Sequence, residues 1–304
     1  MYCDLHTHST ASDGTVAPDQ LAMLAKSSGL GAIALTDHDT TDGLAQCAAS
    51  CAAVGVEFVP GIEVSADPQI ETADPPPGET QERTEMPVRR GTLHILGLFV
   101  RHDDLQLRQV RQRMRDARNT RNPAIVDKLR KLGIDITYQE VLDLAGDQGT
   151  SIIGRPHIAA VLVRKQQATS IQEAFRKHLG HGGDAYVRRD RLSAREAIDA
   201  IHHAGGLAIV AHPVQLGLHD IADLRHAISQ LKRIGLDGIE TMHTDHDKVT
   251  INTCECLAAE FDLLTSGGSD FHGSRKSVDL GSQCVPISVY ERLRDQWQRR
   301  VPVA

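Results

Sequence analysis

Short apolar runs that close on histidine, aspartate or glutamate recur along this chain and alternate with helical patterns. That rhythm limits the fold more than any other feature. Seven runs are read as strands: "YCDLHTHS", "GAIALTDHD", "EFVPGIEVS", "TLHILGLFV", "LAIVAHP", "GIETMHT" and "LLTSGGSDFH". Between several of them lie amphipathic helical patterns over 18–28, 41–54, 193–205, 219–235 and 247–261. Pro18, Ser193 and Asp220 suit helix starts. Gly29, Gly55, Gly205 and Gly235 follow helical runs by about one position, where left-handed caps belong. Alternating strands and helices predict a largely parallel sheet with its chemistry at the carboxyl ends of the strands.

The polar residues obey that rule. His6 with His8, His38, Glu63, His212, His243, and Asp270 with His272 fall at or just after the ends of six runs, and His94 lies within the seventh. Convergence from all seven strands favours a closed barrel over an open sheet. Two segments break the rhythm. Residues 67–90 are proline-rich and polar, an excursion expected to be mobile. Residues 101–191 carry helical patterns without a barrel-type strand, which reads as a helical insertion or lid. The expected organisation is a barrel over 1–100 and 192–286, the insertion over 101–191 and a C-terminal tail over 287–304.

Composition narrows the function. At 304 residues, with 40% hydrophobic and 24% charged, the chain has an ordinary globular make-up. No apolar run approaches the roughly 20 residues of a membrane span, and the start of the chain has no charged-then-apolar leader pattern. A cytoplasmic enzyme with no obligate protein partner is the expectation. The six cysteines (Cys3, Cys47, Cys51, Cys254, Cys256 and Cys284) show no CxxC spacing, so reduced structural thiols are expected. A formal charge of -7 argues against a coat of nucleic acid. Aromatic residues at 3% supply no long stacking platform, which favours short substrates.

Sixteen histidines direct attention to metal ligation. In "His6-Thr7-His8" two imidazoles two apart on a strand share a face and can chelate one ion. An isolated pair of this kind is as readily a pair of surface histidines. Here the pair opens an ordered series: Asp13 in "STASDG", His38 in "LTDHD", Glu63 in "PGIE", His94 in "LHILG", His212 in "AHP", and Asp270 with His272 in "GSDFH".

This series resembles the PHP family, named for its polymerase-associated and histidinol-phosphatase members. The resemblance implies an α/β fold, a distorted seven-stranded (β/α)7 barrel with a helical insertion domain, holding two to three divalent ions. His6, His8, Glu63 and Asp270 would hold the first. Glu63 would bridge to a second completed by His94 and His212, and Asp13, His38 and His272 would hold a third. Imidazole and carboxylate shells without thiolate suit manganese, iron or zinc, and the resemblance points to Mn2+ ahead of Fe2+ or Zn2+. Asp37 or Asp39 could orient a ligand imidazole from behind. Gly267, Gly268 and Gly273 would permit close backbone approach to the cluster.

Substrate contacts are sought in the insertion. Its arginines at 108, 111, 113, 115, 118 and 121 form one stretch, mostly a solvated helix face, with Arg118, Arg121 and the following Asn122 as candidates. In "GRPHIA" the Arg-Pro pair sets a cation at a rigid helix start, so Arg155 and His157 are stronger candidates, and Lys177 and His178 weaker ones. His243 is left over from the metal set and is free as a phosphate contact or catalytic general acid. Glu240, Asp245 and His246 are ambiguous neighbours, whereas His202 and His203 read as structural.

Within the family, the complete ligand series, the "GRPHIA" segment and the insertion resemble the 3′,5′-nucleoside bisphosphate phosphatases. That implies a small nucleotide substrate, adenosine 3′,5′-bisphosphate giving AMP and phosphate, by attack of a metal-bridging hydroxide. The alternatives are a 5′-to-3′ exoribonuclease on short RNA, a histidinol-phosphate phosphatase, and a non-catalytic metal-binding module.

Overall fold

All seven expected strands form, and an eighth joins them. In a computed structural model that describes residues 1–67, 91–147, 152–218 and 220–300, the strands are β1 (Tyr2–Asp4), β2 (Leu30–Leu35), β3 (Glu57–Ala66), β4 (Leu93–Leu98), β5 (Leu207–Val210), β6 (Gly238–His243), β7 (Leu264–Gly268) and β8 (Val285–Pro286). Their spatial order is β7-β6-β5-β4-β3-β2-β1-β8. The far ends meet: the Leu5 N–H donates to the Gly267 carbonyl at 3.1 Å, and Thr7 bridges Phe271 in parallel. The sheet is therefore a nearly closed barrel. A Cβ on Gly268 would lie 2.4 Å from the His6 nitrogen, so glycine is what lets β7 come this close to the first strand.

The helices are α1 (Pro18–Ser27), α2 (Leu44–Val54), α3 (Leu105–Lys131), α4 (Tyr138–Asp147), α5 (Arg155–Arg164), α6 (Ile171–Ala174), α7 (Ala194–His203), α8 (Ile221–Arg233), α9 (Lys248–Glu260) and α10 (Ile287–Arg300). Pro18 starts α1, and Asp220 caps α8 by accepting the Ala222 N–H. Ser193 caps α7 in a reciprocal box with Glu196, and that helix buries Ala194, Ala197, Ile198, Ala200 and Ile201. Gly29, Gly55, Gly205 and Gly235 all take positive φ where the preceding helices stop.

Strand β4 departs from the expected parallel pattern and runs antiparallel to both β3 and β5. The chain leaves β3 at the mouth of the barrel and comes back into β4 from that same end. The excursion 67–90 that joins them lies, apart from Asp67, outside the described residues.

Helix α3 then starts at the opposite end of the barrel, where the Arg101 N–H donates to the Ala204 carbonyl. At the usual rise per residue, its 27 residues span about 40 Å and carry the chain up past the mouth. Leu107 and Met114 in its first half join the core between sheet and outer helices. Ile125, Val126 and Leu129 in its second half join a separate core with Val141, Ile158 and Leu162 of α4 and α5.

The segment 287–304, expected as a tail, begins with α10. Val289, Tyr290 and Leu293 of this helix pack into the barrel interior with Leu5, Val59, Leu96, Leu98 and Ile209. The partly buried Trp297 packs against the same cluster, donates its Nε1–H to the Gly205 carbonyl at 3.0 Å and stacks on Phe99. The helix plugs the end of the barrel remote from the mouth, because eight strands closing on apolar side chains need a cover there. Among the described residues, no helix is long and apolar enough to cross a membrane.

Candidate metal centre and anion site

The mouth gathers the residues that the strand ends were expected to bring together. Glu63, fully buried, stands at the middle. Its Oε1 faces His94 Nδ1 at 2.7 Å and His212 Nε2 at 2.9 Å. Its Oε2 faces His38 Nδ1 at 2.8 Å, His8 Nε2 at 3.2 Å and His6 Nε2 at 3.5 Å. Asp270 Oδ1 completes the His6 and His8 side at 3.5 and 3.2 Å. Asp13 meets His272 Nε2 at 3.3 Å, His8 Nδ1 at 3.7 Å and His38 Nε2 at 4.0 Å.

The reversed strand explains His94. In the antiparallel register it sits opposite Ser65 near the end of β3, so the beginning of β4 delivers it to the mouth.

The donor atoms have the marks of a site built for cations. His6 Nε2, both nitrogens of His8, His38 Nδ1 and Glu63 Oε2 are buried without a hydrogen-bond partner, a costly arrangement unless a ligand supplies the missing interaction. Ligand-competent atoms lie within 4.8 Å of one another in four sets: His8, Asp13, His38 and His272; His6, Glu63 and His212; His38, Glu63 and His94; and His6, His243 and Asp270. Burial pushes the Glu63, Asp13 and Asp270 carboxyls up. Their neighbours, His38 beside Glu63 and Asp13, Lys276 beside Asp270, outweigh burial and hold all three well below the usual carboxylate range. The set is anionic and thiolate-free, which fits divalent metal ions. Backbone strain collects here as well: Asp39, His212 and Asp270 hold positive φ of 55°, 28° and 55°, each costing about 1–3 kcal/mol.

Glu240, one of the ambiguous neighbours, is part of the centre. It is fully buried, with Oε1 at 3.1 Å from His6 Nδ1 and Oε2 accepting the His212 N–H at 2.7 Å. Asp37 and Asp39, by contrast, do not support the His38 ring. Asp37 accepts from the Ser9 N–H and from the hydroxyls of Ser9 and Ser12, holding the turn that carries Asp13. Asp39 accepts from Arg118 Nε at 3.2 Å and Arg189 Nη1 at 3.1 Å.

His243 is buried, and its Nδ1 accepts the Asp245 N–H at 3.0 Å. In the neutral ring the proton therefore sits on Nε2, which faces Asp270 Oδ2 at 3.5 Å.

On the insertion side, Arg118 and Arg121 are more than nine-tenths buried, as is Arg189, which the sequence did not single out. Burial, then the charges of Arg118, Arg155, Arg189 and Arg191, pushes the Arg121 guanidinium well below its ordinary pKa. Burial and neighbouring guanidinium groups likewise bring Arg155 and Arg189 down to about 10. Arg121 and Arg155 meet neutral acceptors, Asn122 Oδ1 at 2.8 Å and the Leu179 carbonyl at 3.0 Å. Asn122 spends its amide on the Ile153 carbonyl, so it positions Arg121 and the loop before α5.

His157 is fully buried. Its Nδ1 accepts the Gly154 N–H at 3.1 Å, and its Nε2 has no hydrogen-bond partner. Burial and the charge of Arg275 lower it to about 4, so it is neutral near pH 7.

The remaining candidates lie elsewhere. Lys177 and His178 pair with Glu173 and Asp184, and His202 and His203 with Asp237 and Asp104. All six cysteines are free, and four of them are buried.

Residues 4–206 of the chain match the PHP domain. The chain belongs to the PHP family. A 5′-3′ exoribonuclease of Haemophilus influenzae is 33% identical to this PHP chain over 290 residues, spanning 93% of it and 97% of the relative. A phosphoribosyl 1,2-cyclic phosphate 1,2-diphosphodiesterase of Eggerthella lenta is 31% identical, across 89% of this chain and 94% of its own. A 3′,5′-nucleoside bisphosphate phosphatase of Chromobacterium violaceum is 30% identical, across 93% and 94%. Among solved structures, one from Bifidobacterium adolescentis assigned as a metal-dependent phosphoesterase superposes with a TM-score of 0.81 at 27% identity, covering 97% of this chain and 96% of that one. The PHP chain is accordingly a metal-dependent phosphoesterase, a hydrolase acting on phosphoester bonds.

Proposed function

We propose that this PHP protein removes the 3′-phosphate from nucleoside 3′,5′-bisphosphates, converting adenosine 3′,5′-bisphosphate to AMP and phosphate. One observation carries the choice: the mouth holds two separate anion-seeking features. The donor cluster under Glu63, which would draw phosphate once it holds its cations, is one. The other is the group of buried Arg118, Arg121 and Arg189 with partly buried Arg155 and Arg191, in which Asp39 pairs with two members while Arg121 and Arg155 face neutral acceptors. Confined positive charge of this kind favours a multiply charged anion. A substrate with two distinct phosphates satisfies both.

His6, His8, Glu63 and Asp270 would hold one ion, Glu63 with His94 and His212 a second, and Asp13, His38 and His272 a third. When bound, such ions lower the pKa of water and neutralise phosphate oxygens, with manganese our assignment over iron or zinc. The chain's own groups do the rest. Arg118, Arg121 and Arg155 supply charge for the retained phosphate, with Asn122 setting Arg121. His157, neutral, offers an Nε2–H because its Nδ1 accepts the Gly154 amide. His243 keeps its proton on Nε2, facing Asp270, and is our candidate donor to the departing alkoxide.

Hydrolysis of short RNA from the 5′ end is the second reading. A groove of about 670 Å³ between α3 and residues 187–190, lined by Arg113, Arg121, Arg188 and Arg189, favours it by offering room for a longer chain. Parallel turnover of adenosine 3′,5′-bisphosphate and a 5′-phosphorylated trinucleotide by metal-loaded protein decides between them. Absence of phosphate release from the bisphosphate would sink the first. The arginines around the mouth disfavour the ammonium of histidinol phosphate, and the complete donor set disfavours a non-catalytic module.

A further inference from the structure

The loop after β7 presents a cation that the sequence patterns did not mark. We propose that Lys276 is a catalytic residue that grips the phosphoryl group from the barrel side of the mouth. The proposal needs only phosphoester hydrolysis and does not depend on the nucleotide substrate.

The two oxygens of Asp270 have separate duties. Oδ1 faces His6 and His8 and belongs to the donor cluster. Oδ2 is met by His243 Nε2 at 3.5 Å and by the Nζ of Lys276. The Lys276 side chain is 40% exposed while Asp270 is only 6% exposed, so the lysine reaches from open solvent to the rim of the buried cluster.

Its backbone is held in place. Thr15 accepts the Ser274 N–H at 2.9 Å, and the Thr15 N–H donates to the His272 carbonyl at 3.2 Å, tying the loop to the turn that carries Asp13.

An ammonium has three N–H donors, and a single carboxylate oxygen takes one of them. The others remain for an anion arriving at the mouth. Lysine binds phosphate as a point charge and tolerates changes in the direction of the oxygens. It can therefore stay engaged while charge redistributes over the phosphoryl oxygens during displacement. Holding Asp270 alone would not call for a cation at the solvent boundary, since His243 Nε2 already faces the same oxygen at 3.5 Å.

The test uses metal-loaded, full-length protein and inorganic phosphate as the probe. Phosphate affinity is measured by calorimetry and metal content by elemental analysis for the wild type, Lys276→Met and Lys276→Arg, with kcat and KM taken on a phosphomonoester. We expect Lys276→Met to keep its metal, to bind phosphate about tenfold more weakly and to lose about 10²-fold in kcat/KM, with Lys276→Arg recovering most of both. Wild-type phosphate affinity in Lys276→Met would overturn the proposal. So would loss of metal in step with loss of phosphate binding, because Lys276 would then serve only to hold Asp270. Because phosphate is the probe, failure to hydrolyse a nucleoside bisphosphate would leave the proposal standing.

Discussion

Glu240 Oε1 lies 3.1 Å from the Nδ1 of His6, and this contact leaves the His6 Nε2 lone pair turned toward Glu63 and Asp270. The other oxygen of Glu240 accepts the N–H of His212, a residue held at a φ of 28°. One carboxylate thus sets a ring on β1 and a backbone just past β5. Both partners are donors. Glu240→Gln can satisfy one of them with its carbonyl but must turn its own N–H groups toward the other. Metal affinity should fall about 10–100-fold with the fold retained. Titration of metal into stripped protein, with circular dichroism as control, measures it, and unchanged affinity would remove Glu240 from the centre.

Asp39 shields Arg118 and Arg189 from each other. Asp39→Asn should destabilise the protein by about 3–5 kcal/mol in urea, because it leaves buried guanidinium charge uncompensated. Added sulfate should restore part of the loss by occupying the arginine group. A variant as stable as the wild type, or one indifferent to sulfate, would contradict the charge excess described there.

His157 gives a pH signature. Its pKa is lowered to about 4 by burial and by Arg275, against about 6.5 in an unfolded chain. Between those values the unfolded state binds the extra proton, so stability is complete above about pH 6.5 and drains away as pH falls toward 4. The full shift is worth about 3 kcal/mol. His157→Gln should show a shallower loss of stability than the wild type across that window in urea titrations at stepped pH. Parallel curves would place the imidazole in a more polar setting than the structure does.

The plug is testable by packing. Leu293 is fully buried in the barrel interior, so Leu293→Ala should cost about 2–5 kcal/mol while leaving metal stoichiometry unchanged. Equilibrium unfolding and elemental analysis together check it; loss of metal without loss of stability would mean that the two ends of the barrel are coupled.

The strand-end rule found the cluster from sequence because it is a local property: side-chain alternation and an apolar run announce where a strand stops. His94 fitted the rule least well, since it stands early in its run, and only the antiparallel register of β4 puts it beside Ser65 at the mouth. Pairing direction is set by where the chain returns, which a run of apolar residues does not record. Glu240 sits inside the β6 run and points at His6, more than two hundred residues away in sequence. Its role depends on barrel closure. Arg189 and Arg191 lie outside the arginine-rich stretch that drew attention, and the fold alone brings them to Arg118 and Arg121. The plug α10 was missed because its buried face is complementary to a barrel floor, not to an adjacent helix.

Helix α3 has a consequence for how ligands are chosen. Leu107 and Met114 anchor its first half in the barrel core, and Ile125, Val126 and Leu129 anchor its second half in the insertion core. Pro123 stands between the two sets and, with no N–H to give the helical ladder, is the point at which the rod can bend. Any change of aperture is therefore confined to one joint, while the anchored pieces on either side of it move as units. Discrimination among phosphoesters should then appear in which molecules the mouth admits, with the protein reshaped at that joint alone.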